Sequence, residues 1–265
     1  MNTAPIITKS DLLLLQPPVT VEEVIAQLEK IITWCEINNN CAGYFAILYH
    51  KVTCKVKDCV IAGDFKDGVR MKHLLVVFAS RYLDAFYLWI DSKPTTNSWK
   101  VTFDAVPKKT LLVLQHMLLA MNAHINLDLS IATTGVMRGF LLEDIHDDFN
   151  SINNVLASMV DNMEGCLTKV NPLMKLLNLN IYKYDEMLVQ FSISTARDGA
   201  WAFAQALGPK TGTDYDNCIH VRDESIARLA NTIAMPQGFL LKLIVKLIRL
   251  FEKKDVAGVM KLLET

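Results

Sequence analysis

The sequence predicts an all-α fold in a single domain, bundle-like or orthogonal, and three observations predict it. Apolar residues recur at three- and four-residue spacing in long runs. No stretch alternates apolar and polar residues over more than a few positions, as a strand would. Turn formers are scarce: Gly (11) and Pro (8) together fall well below the ordinary share of about 12%, so turns are few and helices long. With 51% hydrophobic and 21% charged residues, the chain has ample material for a core, and a disordered chain is excluded. Lys+Arg (27) and Asp+Glu (28) nearly balance. That argues against a nucleic-acid partner held by phosphate neutralisation.

Residues 1–19 are read as an N-terminal extension and residues 20–265 as the domain. The start, MNTAPIITKSDLLLLQPP, has no basic n-region, and its apolar run Leu12–Leu15 stops at Gln16-Pro17-Pro18. No signal peptide is expected. Thr20 and Glu23 have capping-box spacing before the run Val24, Ile25, Leu28, Ile31, Ile32, Cys35, which predicts a first helix ending at Asn38-Asn39-Asn40. A second is predicted over Cys41–Ala62, stopping at Gly63. A third covers Gly68–Ile90, ending before Lys93-Pro94, and a short one covers Asn97–Val106, stopping at Pro107. Thr110–Leu129 is apolar nearly all round, which predicts a central buried helix. The next begins near Leu141, runs towards Leu167 and breaks at Asn171-Pro172. Further helices are predicted over Ile181–Leu207, Arg222–Ala234, Phe239–Lys253 and Val256–Glu264. Gly208–Asn217 (GPKTGTDYDN) is the turn-rich stretch that suits a mobile loop.

In Phe239–Lys253, the residues Lys242, Lys246, Arg249 and Lys253 form a narrow basic stripe on an apolar helix. Such a helix either lies peripherally on an anionic membrane surface or is a core helix with one solvated edge; the core reading is preferred. No uninterrupted apolar run reaches the roughly 18–20 residues that span a bilayer. The six cysteines (Cys35, Cys41, Cys54, Cys59, Cys166 and Cys218) include no CxxC pair, so zinc-ribbon and thioredoxin chemistry are not expected. A reducing, cytoplasmic setting is.

The candidate chemistry concentrates in Leu111–Leu129, LLVLQHMLLAMNAHINLDL. In a buried helix each polar side chain needs a partner, yet His116, Asn122, His124, Asn126 and Asp128 all sit here. Helical geometry places Asn122 and Asn126 on one side, and His124 and Asp128 on nearly the opposite side. Leu141–Asn154 adds Asp144 and Asp148. If the two helices are antiparallel neighbours, His-x3-Asp faces Asp-x3-Asp, a donor set for a divalent metal such as zinc, iron or manganese. The plainer alternative is an intrahelical His124–Asp128 bond, with the acids of the next helix favouring its macrodipole. Arg81, inside an apolar stretch, needs an anion: a ligand group, or Asp84 or Asp148. Trp99 with Phe103 is read as core, and Arg197 with Trp201 as a cation–π pair.

The central string LLVLQHMLLAMNAHINLDLSIA resembles the hallmark of an uncharacterised, mostly bacterial family, a domain of unknown function. FASRYLDAFYLW (Phe78–Trp89), SWKVTFDAV (Ser98–Val106), DDFNSINNVL (Asp147–Leu156) and ARDGAW (Ala196–Trp201) extend the resemblance in the family's order. It implies an all-helical single domain and no known activity. The family's NAHIN and following Asp fall on Asn122, Ala123, His124, Ile125, Asn126 and Asp128. Its DFxxxN element falls on Asp148, Phe149 and Asn153.

Two functions are expected from these residues. The first is a metal-dependent hydrolase or lyase acting on a small, partly apolar substrate. His124, Asp128 and Asp148 would be its ligands and His116 and Asp144 further candidates. Arg81 would hold an anionic substrate group, and Asn122 and Asn126 would orient groups by hydrogen bonding. The alternative is a non-enzymatic helical module that binds a hydrophobic ligand or a protein partner, its polar centre purely structural. The enzyme requires the ligands to converge on one reachable point; the module has them dispersed.

Overall fold

The computed structural model describes residues 7–173 and 193–265. They form α1 (Lys9–Leu13), α2 (Val21–Ile37), α3 (Gly43–Ala62), α4 (Gly68–Ile90), α5 (Asn97–Ala105) and α6 (Val113–Ala123). A π-turn, His124–Asp128, joins α6 to α7 (Leu129–Val136). A short 3-10 turn, Leu142–Ile145, precedes α8 (His146–Val170). Then come α9 (Ile193–Leu207), α10 (Gly212–Ala234), α11 (Phe239–Phe251) and α12 (Val256–Glu264). The fold is all-α, with no strand among the described residues.

Local chemistry sets several boundaries. The Thr20 hydroxyl accepts from the Glu23 amide, and the Glu23 carboxylate accepts from the Thr20 amide, both at 3.2 Å. This capping box starts α2. Gly63 ends α3 with φ +81°, a left-handed cap that favours glycine. Gly43, at the start of α3, lets two helices come close: a Cβ there would lie 2.8 Å from Cys35 Cβ of α2 and 2.5 Å from Met260 Cε of α12. These contacts knit α2, α3 and α12 into the main core, with Leu28, Ile31, Phe86, Trp99, Met117 and Leu263.

The continuous helix α6–π-turn–α7 lies at the centre, touching α3, α4, α5, α9 and α10. The sequence predicted an end near Leu129; instead the helix runs on to Val136, because Leu129, Ala132, Thr133 and Val136 are all buried. The turn-rich stretch predicted as a mobile loop is mostly helix: α10 begins at Gly212. Asp214 in its first turn favours the helix dipole. Of the predicted helix Ile181–Leu207, the part before Ile193 lies outside the described residues.

By length and composition α4 could cross a membrane, with 44% of its most apolar window buried in the fold. The uninterrupted-run criterion missed it because Arg81 and Asp84 interrupt the helix. Here it is a core helix: Leu74, Leu75, Ala79, Leu83 and Phe86 are buried. The expectation for the C-terminal basic helix needs correction. One side of α11 is buried at Ile248, but Phe239, Leu243, Leu247, Leu250 and Phe251 are 50–84% exposed. The solvated edge is therefore apolar as well as basic.

Candidate functional site

The π-turn places His124 and Asp128 on one side of the central helix, in a box of aromatic rings. The imidazole stacks on Phe78, nearly parallel at 3.7 Å between centroids, and meets Tyr49 edge-on at 4.6 Å. Asp128 is wholly buried and accepts from three groups. Oδ2 takes the Trp99 indole N–H at 2.8 Å and lies 3.2 Å from His124 Nδ1; Oδ1 takes the Arg81 Nε–H at 3.1 Å. A carboxylate opposite Nδ1 fixes the proton there. Burial holds the His124 pKa below the ordinary value, although Asp128 pulls it the other way. The ring is thus neutral near pH 7 with Nδ1 protonated, and Nε2 is a bare acceptor. Nε2 is buried and has no hydrogen-bond partner among the described residues.

His124 forms part of the wall of a cavity of about 120 Å³ between α3, α4, the π-turn, α8 and α9. Tyr49, Val52, Leu74, Phe78, Phe149 and Ile152 supply much of the apolar lining. Arg197 lines the same cavity from α9. Its guanidinium donates to the Phe149 carbonyl and lies 4.4 Å above the Phe149 ring. The predicted cation–π partner, Trp201, instead packs against His146 and Phe149. Arg197 is 4% exposed, and its Nε–H is a second buried polar atom without a partner among the described residues. Burial lowers its pKa to about 10, with Asp198 pulling upward, so it remains a cation at neutral pH.

The remaining predicted metal ligands lie elsewhere. Asp148 is buried, and its two oxygens accept from the backbone amides of Lys66 and Asp67 at 2.7 and 2.9 Å, capping the start of α4. Asp144 is exposed, and its carbonyl accepts from Arg70. His116 packs edge-on to Tyr44, and burial reinforced by the charge of Arg249 lowers its pKa to about 4. Among the described residues, no three His, Cys, Asp or Glu side chains come together to hold a metal ion. The predicted facing of His124 and Asp128 with Asp144 and Asp148 does not occur: Asp148 is drawn away by the amides at a helix start. Asn122 donates to the Ile226 carbonyl and accepts from Asn126, both at 3.0 Å, tying the central helix to α10. Arg81 pairs through Nε with Asp128 rather than with Asp84 or Asp148.

Asp148 has two counterparts that the sequence did not reveal. Asp223 accepts from the Asn97 and Ser98 amides at the start of α5, at 2.6 and 2.9 Å. Glu252 accepts from the Val113 amide at the start of α6, with both oxygens at 3.2 Å. Of the four buried carboxylates among the described residues, three cap helices and only Asp128 faces the imidazole. Arg197 was likewise overlooked as a cavity residue, because its burial depends on how α9 packs. Its place beside Ala196 and Ala200, small residues that admit a close helix, was the available signal.

Residues 21–236 match the model of a family of unknown function, DUF5995. The match covers most of the chain, which belongs to that family. No curated protein and no solved structure matches it.

Proposed function

We propose that this DUF5995 member binds a small, ring-sized apolar molecule that carries a hydrogen-bond donor, in the cavity walled by Tyr49, Phe78, His124 and Arg197. The observation that carries the reading is Nε2 of His124, buried and unpartnered among the described residues. A buried acceptor left unsatisfied costs roughly 1–3 kcal/mol, and an O–H or N–H on a bound molecule would remove that cost. The cavity volume suits such a ligand: apolar cavities of about 150 Å³ stay dry and take up benzene. The free Nε–H of Arg197 adds a donor and a positive charge to the same wall, which suits an acceptor or acidic group on the ligand. This is the hydrophobic-ligand module expected from sequence, with its polar centre also serving as a contact. Metal-dependent chemistry has less support, because only His124 and Asp128 of the predicted ligands are together and they bond each other.

A second reading, metal-independent proton transfer, is favoured by the dyad itself. A carboxylate on Nδ1 orients the ring and raises the basicity of Nε2, as a general base requires. Both readings need the same contact. Calorimetric titration with phenol and with benzene tests it. Both should bind, phenol roughly two- to tenfold more tightly, the worth of one net hydrogen bond. In His124→Phe the preference for phenol should vanish while benzene still binds. Equal affinities in the wild type, or no binding of either, would overturn the proposal.

A further inference from the structure

We propose that α11 docks the protein onto an anionic lipid surface. At about 100° per residue, the side chains of α11 sort into three faces. Leu241, Ile244, Val245, Ile248 and Glu252 share the face that includes the buried positions. Phe239, Leu243, Leu247, Leu250 and Phe251 share a second face that is open to solvent. Lys242, Lys246, Arg249 and Lys253 lie together beside it.

The anchors of α11 are near its C-terminal end. Asn171 donates to the Ile248 carbonyl at 2.8 Å, and Arg249 Nε–H donates to the Lys109 carbonyl at 2.8 Å. Glu252 joins Arg249 at 2.7 Å and caps α6. The exposed apolar face is thus held in place without being covered by these contacts.

Charge decides the occupant. Phe239–Lys254 carries Lys242, Lys246, Arg249, Lys253 and Lys254, and its one acid, Glu252, is buried. The chain as a whole is nearly neutral, at −1, so this excess of positive charge is local. An apolar face bordered by lysines, with no exposed acid, matches a bilayer interface: acyl chains take the leucines and phenylalanines, and anionic headgroups take the ammonium groups. A second copy of the chain would bring the same cations to the same place and repel.

Flotation of the full chain with vesicles tests the proposal. The wild type should float with phosphatidylcholine vesicles containing phosphatidylserine, and at least tenfold less with phosphatidylcholine alone. Added salt should weaken the binding. Lys242→Glu with Lys246→Glu should remove the preference for anionic vesicles. Leu243→Glu with Leu247→Glu, both at exposed positions, should abolish flotation while leaving the helical circular dichroism unchanged. Failure of the wild type to float would overturn the proposal. So would undiminished flotation of the leucine variant, or light scattering that shows a dimer which this variant dissolves.

Discussion

Asp128 holds two buried donors that would otherwise be stranded, the Trp99 indole and the His124 ring, together with the half-buried Arg81 guanidinium. Removing one partner of a buried charged network costs more than its bonds are worth, since the others stay buried and unpaired. Asp128→Ala should therefore lower stability by about 3–5 kcal/mol, measured by urea unfolding; a loss below about 1 kcal/mol would contradict the network. At this scale the sequence was legible where partners are close along the chain. His124 and Asp128 are four residues apart on one helix, and their pairing follows from helical geometry alone. The partners of Arg81 and Asp148 are 47 and about 80 residues away, and no local spacing encodes them. Two arginines also exchanged roles. Arg81 is neutralised inside the protein, whereas Arg197 has no carboxylate on it among the described residues and faces the cavity.

Helix starts show the same contrast between near and far. The start of α2 was readable because its cap is Thr20 with Glu23, within one turn. The starts of α4, α5 and α6 receive carboxylates from α8, α10 and the residue after α11; of these, the sequence singled out only Asp148, which looked like a metal ligand or a dipole partner. Removing such a cap leaves the Lys66 and Asp67 amides without their carboxylate acceptor. Asp148→Ala should cost about 1–2 kcal/mol, read as a lower urea midpoint, with hydrogen exchange quickest to rise at the Lys66 and Asp67 amides. Unchanged exchange at those two amides would contradict the capping role. The exposed apolar face of α11 was equally hidden. A hydrophobic periodicity reports that a face is apolar, not whether a neighbour covers it.

For the whole molecule, two buried groups work against each other as pH changes. Burial raises the Glu252 pKa to about 7, despite the opposing pull of Arg249 and the Val113 amide. The folded protein therefore binds a proton more readily than the unfolded chain, and this group's contribution to stability falls as pH rises from about 4.5 to 7. His116 has the opposite sign. Its pKa of about 4 in the fold means stability is present above about 6.5 and is lost as pH falls towards 4. The charge of Arg249 acts on both groups, and Cys41 and Tyr44 feel the charge of Glu252. Between pH 5 and 6.5 the two contributions oppose each other in the wild type. Glu252→Gln should make the urea midpoint fall more steeply on acidification across that range, and His116→Gln should make it fall less steeply or rise. Parallel pH profiles for all three proteins would contradict both assignments. The all-helical architecture itself was plain from the sequence, since scarce turn formers and helical periodicity act over the whole length. The π-turn was not, because nothing in the residue types of HINLD distinguishes an i→i+5 turn from an α-turn. A π-turn is a helix that has absorbed one extra residue. A one-codon deletion between His124 and Asp128 is thus a change that α6 and α7 are built to accommodate. The helices would keep their neighbours, while the imidazole and carboxylate would stand three residues apart instead of four. The fold and the site can therefore be separated by a deletion as well as by a substitution.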